Sequence, residues 1–217
     1  MARGCFITLE GGEGAGKTTH VQSVCEYLQQ QGVDVITTRE PGGTEVAEAI
    51  RAVLLSPELP DMHADTELLL MFAARNEHLQ RKIIPALEQG QWVICDRFTD
   101  ATYAYQGYGR GLSLARIQEL ETWVQGALRP DFTLLFDLDV ATGMQRVRQR
   151  SAANAVQTDR FEREQTAFYE KIRQGYLQRA RQSPEQFYVL DASQSIEQVK
   201  ADVLSALDVL MRQWGIA

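Results

Sequence analysis

The sequence predicts an α/β fold in which helices flank a five-stranded parallel sheet. Five short runs are continuously apolar, which is typical of strands that are covered on both faces. Helical patterns separate these runs, so the strands are expected to pair in parallel through right-handed crossover connections. No internal repeat or low-complexity tract interrupts this alternation.

The predicted strands follow the apolar runs directly: Cys5–Leu9, Val33–Thr37, Trp92–Cys95, Phe132–Phe136 and Phe187–Leu190. The predicted helices are Thr18–Gln30, Thr44–Leu55, Asp65 or Thr66 to Leu87, Leu114–Leu128, Ala141–Arg150, Glu162–Arg181 and Ile196–Trp214. Their ends are indicated by residues that cap or break helices: Gly32, Pro57, Ser113 and Pro130. Pro85 is expected to kink or break the last turn of the third helix. The small and polar segment Ser151–Thr158 is expected to be a mobile loop.

Composition indicates a globular protein of one domain, since 217 residues are enough to bury a sizeable core. The net charge of −7 provides no large positive field, which argues against a nucleic-acid-coating protein or a polybasic membrane protein. Cys5, Cys25 and Cys95 lack metal-ligand spacing and indicate reduced thiols in a cytoplasmic protein. No apolar stretch approaches the roughly 20 residues of a membrane span, and no signal region is apparent.

A glycine-rich motif leaves the first predicted strand, in the order Gly11, Gly12, Glu13, Gly14, Ala15, Gly16, Lys17 and Thr18. It matches G-x-x-x-x-G-K-[ST] between a strand and a helix, which is the context of a phosphate-binding loop. Backbone N–H groups and the helix start attract phosphate oxygens, Lys17 adds a positive charge, and Thr18 is a Mg²⁺ ligand candidate. A glycine-rich surface turn is the alternative, but it would not require Lys-Thr at this offset. The motif therefore predicts nucleoside triphosphate binding by a P-loop NTPase fold.

Two further polar segments follow predicted strands, where ligands of open α/β sheets bind. Thr38–Thr44 follows the second strand, and a turn with a helix cap explains it about equally well. Asp96 and Arg97 follow the third strand. The Asp96 carboxylate is placed to hold Mg²⁺ or its waters, and Arg97 is placed to bridge phosphates.

Arginines on both sides of Ser151–Thr158 predict a short lid at about residues 146–163. Arg146 and Arg148 are interpreted as part of a solvated helix face. Arg150 and Arg160 flank the segment and are expected to act on the transferring phosphate, because a planar guanidinium binds phosphate bidentately. Ala15 supplies no charge to the phosphate-binding loop, so that charge must come from elsewhere.

The whole chain resembles the thymidylate kinases, in the bacterial form whose lid supplies the catalytic arginines. The matching segments are Leu9–Thr18, Thr38–Thr44 (TREPGGT), Leu70–Arg75, Asp96–Phe98, Thr102–Gly107 and Asp159–Glu162. TREPGGT together with the AYQG segment (Ala104–Gly107) distinguishes this family better than the phosphate-binding loop does, because many unrelated NTPases share that loop.

The resemblance implies a pocket for the base and sugar of dTMP. Phe72 would stack on thymine, while Arg75 and Thr102 would contact the base edge. Tyr105 would disfavour a ribose hydroxyl, and Gln106 would help to close the pocket. Taken alone, Phe72 is more typical of a core residue, by about two to one, and Tyr105 and Gln106 are typical of a packed loop aromatic and a surface amide. Only their combination favours the pocket.

The resemblance also implies the contacts of the acceptor phosphate and the metal. Arg39, Arg51 and Arg97 would hold the phosphate, and Glu13 would face the 3′-hydroxyl of the acceptor. The other residues implied are Glu40 and Pro41, often joined by a cis bond, for the shape of the pocket, and Glu162, for Mg²⁺ or the acceptor sugar.

The sequence thus predicts a dTMP kinase that converts Mg-ATP and dTMP to ADP and dTDP in dTTP biosynthesis. Residues 1–217 would form a single nucleoside monophosphate kinase domain, and homodimers through helices flanking the sheet are expected from the resemblance. A deoxynucleoside kinase, which would need a carboxylate base, and a non-catalytic nucleotide switch are the alternatives.

Overall fold

The computed structural model describes residues 3–154, 160–161 and 164–216, and it contains the predicted parallel sheet. The strands are β1 (Phe6–Gly11), β2 (Val35–Arg39), β3 (Trp92–Asp96), β4 (Phe132–Asp137) and β5 (Phe187–Asp191). Their spatial order is β2-β3-β1-β4-β5, and every pair is parallel. Each predicted strand is confirmed to within two residues at its start and end.

Helices cover both faces of this sheet. They are α1 (Lys17–Gln30), α2 (Glu45–Leu55), α3 (Ala64–His78), α4 (Ile84–Glu88), α5 (Thr99–Thr102), α6 (Leu114–Gln125), α7 (Val140–Asn154), α8 (Thr166–Gln182) and α9 (Ile196–Gln213). Two π-helical stretches, Leu79–Ile83 and Tyr103–Gly109, continue α3 into α4 and extend α5. Among the helices of the described residues, none combines the length and the apolar character needed to span a membrane.

The period of two along β1 divides the core into its two faces. Cys5, Ile7 and Leu9 pack in the cluster that includes residues of α1 and α9. Phe6 points to the opposite face of the sheet, where it packs with residues of α4. Thr8 and Glu10, the next residues of β1 on that face, are also buried. A carboxylate is therefore placed inside the sheet layer directly below the phosphate-binding loop.

Local capping signals were only partly correct. Gly32 ends α1 as predicted, with φ of 79° and Val33 N–H donating to Leu28 O at 3.0 Å, which is a Schellman arrangement. For α3, the prediction of Asp65 or Thr66 as N-cap was wrong, because the His63 ring accepts from Asp65 N–H at 3.3 Å. Pro85 lies in the first turn of α4, and the π-helical stretch just before it accommodates the missing N–H.

Three larger differences separate the structure from the prediction. β5 lies at the edge of the sheet, so Tyr188 and Val189 are exposed, although burial on both faces was predicted. α7 continues to Asn154 into the predicted loop, since Ala152 and Ala153 favour helix, and residues 155–158 lie outside the described part. The AYQG segment, where no helix was predicted and a packed loop was the alternative, is helical and packs against α8.

Candidate active site

One cavity of about 660 Å³ lies at the carboxyl ends of the strands. It is lined by residues that follow β1, β2, β3 and β5, together with side chains from α2, α3, α5 and α7. Of the predicted site residues, the cavity brings together Glu13, Gly14, Ala15, Gly16, Lys17, Thr18, Glu40, Pro41, Arg51, Arg75, Asp96, Arg97, Thr102, Tyr105, Gln106 and Arg150. Gly11, Gly12, Arg39, Phe72 and Arg160 do not line it, and Glu162 lies outside the described residues.

The loop between β1 and α1 has the backbone of an anion-binding turn. Gly14 has φ of 71°, and a Cβ there would overlap the carbonyl oxygen of Gly143 on α7. Gly16 is the N-cap of α1 and brings no side chain to the first turn, so no side chain caps the N–H groups at the start of this helix. The Lys17 ammonium donates to the carbonyl oxygens of Gly11 and Gly12, each at 2.9 Å. Burial, helped by the nearby Arg97, lowers the pKa of Lys17 to about 8.

Thr18 and Asp96 place two side-chain oxygen groups beside this loop. The Thr18 hydroxyl donates to Asp96 Oδ2 at 3.3 Å, while the buried Oδ1 has no hydrogen-bond partner within the described residues. A hard cation such as Mg²⁺ takes one or two such protein oxygens and completes its shell with water and phosphate oxygens. The orphaned Oδ1 and the adjacent hydroxyl therefore fit Mg²⁺.

Arg97 is held in a left-handed conformation, with φ of 69°. Its N–H donates to Leu9 O at 3.0 Å, and the next N–H, of Phe98, donates to Glu10 Oε1 at 2.7 Å. The side chain consequently turns towards the phosphate-binding loop, where it donates to Gly11 O at 2.8 Å and Glu13 Oε1 at 2.7 Å. Although burial disfavours the charged form of Glu13, the charges of Arg97 and Lys17 lower its pKa to about 2.

Arg75 occupies the opposite end of the cavity. Its Nε donates to Glu40 at 2.7 Å, and Nη2 donates to the Thr102 hydroxyl at 2.9 Å and to Phe98 O at 3.2 Å. His78 Nδ1 lies 3.1 Å from the second oxygen of Glu40, so that carboxylate is shared between two side chains of α3. Nη1 of Arg75 is buried and has no partner within the described chain, which leaves a donor for an acceptor atom of a ligand. The bond between Glu40 and Pro41 is cis.

Comparison with known proteins identifies the family to which a chain with this cavity belongs. The family model described as thymidylate kinase matches residues 9–203. The chain belongs to the thymidylate kinase family. It is 58% identical to the thymidylate kinase of Ectopseudomonas mendocina, over 96% of this chain and 97% of that protein. It is 54% identical to the thymidylate kinase of Alkalilimnicola ehrlichii, over 99% of this chain and 97% of that protein.

A solved relative supports the fold independently. The crystal structure of thymidylate kinase from Ehrlichia chaffeensis superposes with a TM-score of 0.74 at 34% identity, covering 94% of this chain and 99% of that one. Membership of the thymidylate kinase family confirms the sequence-based resemblance, the predicted fold class and the assignment as an enzyme. The comparisons do not assign individual residues, so the predicted residue roles stay predictions.

The base pocket predicted for a thymidylate kinase is only partly assembled by the residues named for it. Thr102, Tyr105 and Gln106 line the cavity. Phe72 is 2% exposed and packs with Leu68, Tyr103 and Ile117, 4.9 Å from the Arg75 guanidinium. Its side chain therefore supports Arg75, and direct stacking on thymine stays a prediction.

The arginines predicted for the acceptor phosphate also differ in placement. Arg51 lines the cavity and donates to Pro41 O at 2.7 Å. Arg39 is largely exposed and pairs with Glu48 at 2.9 Å, outside the cavity lining. A role for Arg39 on phosphate stays a prediction.

The lid arginines separate into two groups. Arg150 lines the cavity, and so does Arg146, which donates to Ala192 O at 3.0 Å. The interpretation of Arg146 as solvated was therefore wrong, because α7 passes directly over the phosphate-binding loop. Arg148 is exposed, as expected. Arg160 instead donates to Glu67 at 2.7 Å and to Leu54 O at 3.1 Å.

Sequence reasoning missed several residues of the cavity. Ala192, Gln194, Ser195, Ile196 and Val199 follow β5 and start α9. The rule that selected the ends of β1, β2 and β3 applies equally to β5 and would have found them. The apolar side chains of Leu55, Met71 and Phe161 carried no local signal, because only packing brings them to the cavity.

Proposed function

We propose that this chain transfers the γ-phosphoryl group of Mg-ATP to dTMP, giving ADP and dTDP for dTTP biosynthesis, within a single nucleoside monophosphate kinase domain. The observation that carries the proposal is that one cavity contains the phosphate-binding loop at one end and the Arg75–Thr102–Gln106 group at the other. A nucleoside monophosphate that spans this cavity would present its phosphate to a donor held by the loop. Such a geometry favours transfer through positioning.

The residues between the two ends would neutralise charge during transfer. Lys17 and Arg97 lie at the loop, and Arg150 approaches from α7. Phosphoryl transfer between two phosphates depends mainly on alignment and on stabilising the charge of the equatorial oxygens, so no strong base is required. Arg160, predicted to join them, is bound to Glu67 instead.

Thr18 and Asp96 would hold the metal, and Glu162 is retained as a predicted contributor. A bound Mg²⁺ would supply positive charge that offsets part of the charge on the donor phosphates. The residues of the chain would orient the ion: Asp96 through its unpartnered Oδ1, and Thr18 through its hydroxyl. No group of three or more His, Cys, Asp or Glu side chains within the described ranges could hold a metal ion.

The acceptor would be recognised by polar groups at the far end of the cavity. The free donor of Arg75 and the Thr102 hydroxyl suit a pyrimidine edge, and Gln106 would close the pocket beside them. Tyr105 would exclude a ribose hydroxyl, and Glu13 would face the 3′-hydroxyl. The phosphate of the acceptor would meet arginines and the pocket shaped by Glu40 and Pro41, with Arg39, Arg51 and Arg97 as the predicted contacts.

A three-way turnover experiment tests this proposal. ATP consumption is measured in a coupled assay with dTMP, with thymidine and without acceptor. We expect turnover only with dTMP. Turnover with thymidine would indicate a deoxynucleoside kinase, and slow hydrolysis independent of acceptor would indicate a nucleotide switch.

We also infer a homodimer in the cytoplasm. Large apolar side chains are exposed on neighbouring helices: Val53 of α2, Leu69 of α3 and Trp123 of α6, the last at 82%. Because α2 and α6 both contact α3, these exposed apolar side chains favour association with a second copy. Light scattering should give twice the chain mass, and Leu69→Glu should give the monomer mass. The free thiols Cys5, Cys25 and Cys95 suit a reducing compartment.

A further inference from the structure

Glu67 on α3 is a fully buried carboxylate that joins three segments near the acceptor end of the cavity. Oε1 accepts from the Gln106 amide at 2.7 Å, and Oε2 accepts from Arg160 at 2.7 Å. Arg110, just after the π-helical stretch Tyr103–Gly109, donates to both oxygens, at 3.4 and 3.2 Å. Two guanidinium groups and one amide thus converge on a carboxylate with 0% exposure.

Both arginines are held by additional contacts. Arg110 also pairs with Glu164 and lies over the Phe168 ring, 4.7 Å from its centroid. Arg160 lies 4.8 Å from the centroid of the neighbouring Phe161 ring and donates to Leu54 O. A carboxylate that is fully shielded from water is stable only when hydrogen-bond donors surround it. Removing the charge of Glu67 therefore disturbs each of its three donors, Gln106, Arg110 and Arg160.

Only two members of this group reach the cavity. Gln106 and Phe161 line it, whereas Glu67, Arg110 and Arg160 do not. A carboxylate accepts hydrogen bonds but cannot donate them, so Glu67 dictates that Gln106 turns its NH₂ towards α3. Through Arg160 it also fixes the backbone position from which Phe161 enters the cavity.

We propose that Glu67 is a positioning residue for the acceptor nucleotide, and that Arg160 anchors Phe161 to Glu67 and is not a ligand of the transferring phosphate. This inference rests on the proposed function. Because the group shapes the acceptor end and makes no contact with the phosphate-binding loop among the described residues, its loss affects binding of dTMP more than the chemical step.

The first test is steady-state kinetics of Glu67→Gln with Glu164→Gln as matched control. Both substitutions remove one carboxylate that pairs with Arg110, but only Glu67 contacts Gln106 and Arg160. We expect the KM for dTMP to rise by about tenfold or more in Glu67→Gln, as charge-assisted hydrogen bonds are lost. The KM for ATP and the kcat should change less than about threefold. Equal dTMP kinetics in the two variants would overturn the proposal.

The second test separates anchoring from catalysis at Arg160 and does not depend on the folding of Glu67→Gln. Arg160→Ala should raise the KM for dTMP with little change in kcat, and Arg160→Lys, which keeps a donor for Glu67, should recover part of the affinity. A large fall in kcat at unchanged KM would place Arg160 on the transition state and refute the anchoring role. If the parent protein fails to phosphorylate dTMP, the proposed function fails. If the parent is active and both tests are negative, only this inference fails.

Discussion

The Tyr105 hydroxyl donates a hydrogen bond of 2.9 Å to Glu13 Oε1. The bond links the phosphate-binding loop to the helical AYQG segment, and the Tyr105 ring lies 5.0 Å from the guanidinium carbon of Arg97. Phe161 packs edge-on against the same ring. One aromatic side chain therefore contacts the phosphate-binding loop, Arg97 and Phe161 together.

Tyr105 is expected to exclude the ribose 2′-hydroxyl by its bulk. Tyr105→Leu should narrow the preference for dTMP over ribothymidine monophosphate, measured as the ratio of the two kcat/KM values. Tyr105→Phe keeps the ring and loses only the bond to Glu13, so it should keep the ratio even if turnover falls. Unchanged discrimination in Tyr105→Leu would show that the sugar is selected elsewhere.

Lys17→Ala should remove most phosphoryl transfer without unfolding the protein. Loss of one preorganised charge at a transition state costs on the order of 10² to 10³ in rate, and often more at a phosphate clamp. The measurement is kcat with dTMP, with circular dichroism to check the fold. The exposed Lys171→Ala is the control for the substitution. Near-normal turnover in folded Lys17→Ala would show that the phosphate-binding loop does not contribute to catalysis through Lys17.

Arg150→Ala should lower kcat with little change in either KM. Arg150 lines the cavity from α7, whereas the exposed Arg148 on the same helix does not. Arginines that act on a transferring phosphoryl group contribute about 10³ to 10⁵ in kcat in other enzymes, so even a shared role should leave a deficit of tenfold or more. Arg148→Ala is the matched control. If the two variants have the same kcat, Arg97 and Lys17 must carry the charge.

Glu10→Gln should change how stability depends on pH. Burial, together with the nearby Asp100 carboxylate, raises the pKa of Glu10 from 4.5 to about 7. Between these values the native protein keeps a proton that the unfolded chain has released, so the parent loses stability as pH rises through this window. The variant lacks that titration, while the carbonyl oxygen of its new amide can still accept from Phe98 N–H. The free energy of unfolding of Glu10→Gln relative to the parent, from urea titrations at pH 4.5 and pH 8, should therefore increase by on the order of 3 kcal/mol. If the difference in free energy of unfolding between Glu10→Gln and the parent is the same at both pH values, Glu10 is not protonated in the native protein at pH 4.5.

The local sequence was sufficient for the five strands and for the backbone of the phosphate-binding loop. Continuous apolar runs predicted all five strands, because burial of a parallel strand leaves a signal in its own residues. The glycine pattern predicted the phosphate-binding loop, because positive φ angles and close backbone approach at Gly14 restrict the residue types. Asp96 and Arg97 were found from their position at the end of β3.

Tertiary structure decided which side chains reach the cavity. The sequence predicted a solvated Arg146 and a phosphate contact for both Arg150 and Arg160. In the structure Arg146 and Arg150 line the cavity, while Arg160 is bound to Glu67, more than 90 positions away in the chain. Phe72 has the spacing of a pocket residue, but its ring packs among core side chains. The direction of a long side chain depends on partners from other elements, and the burial of Glu67 depends on donors from two other segments. No local pattern contains that information.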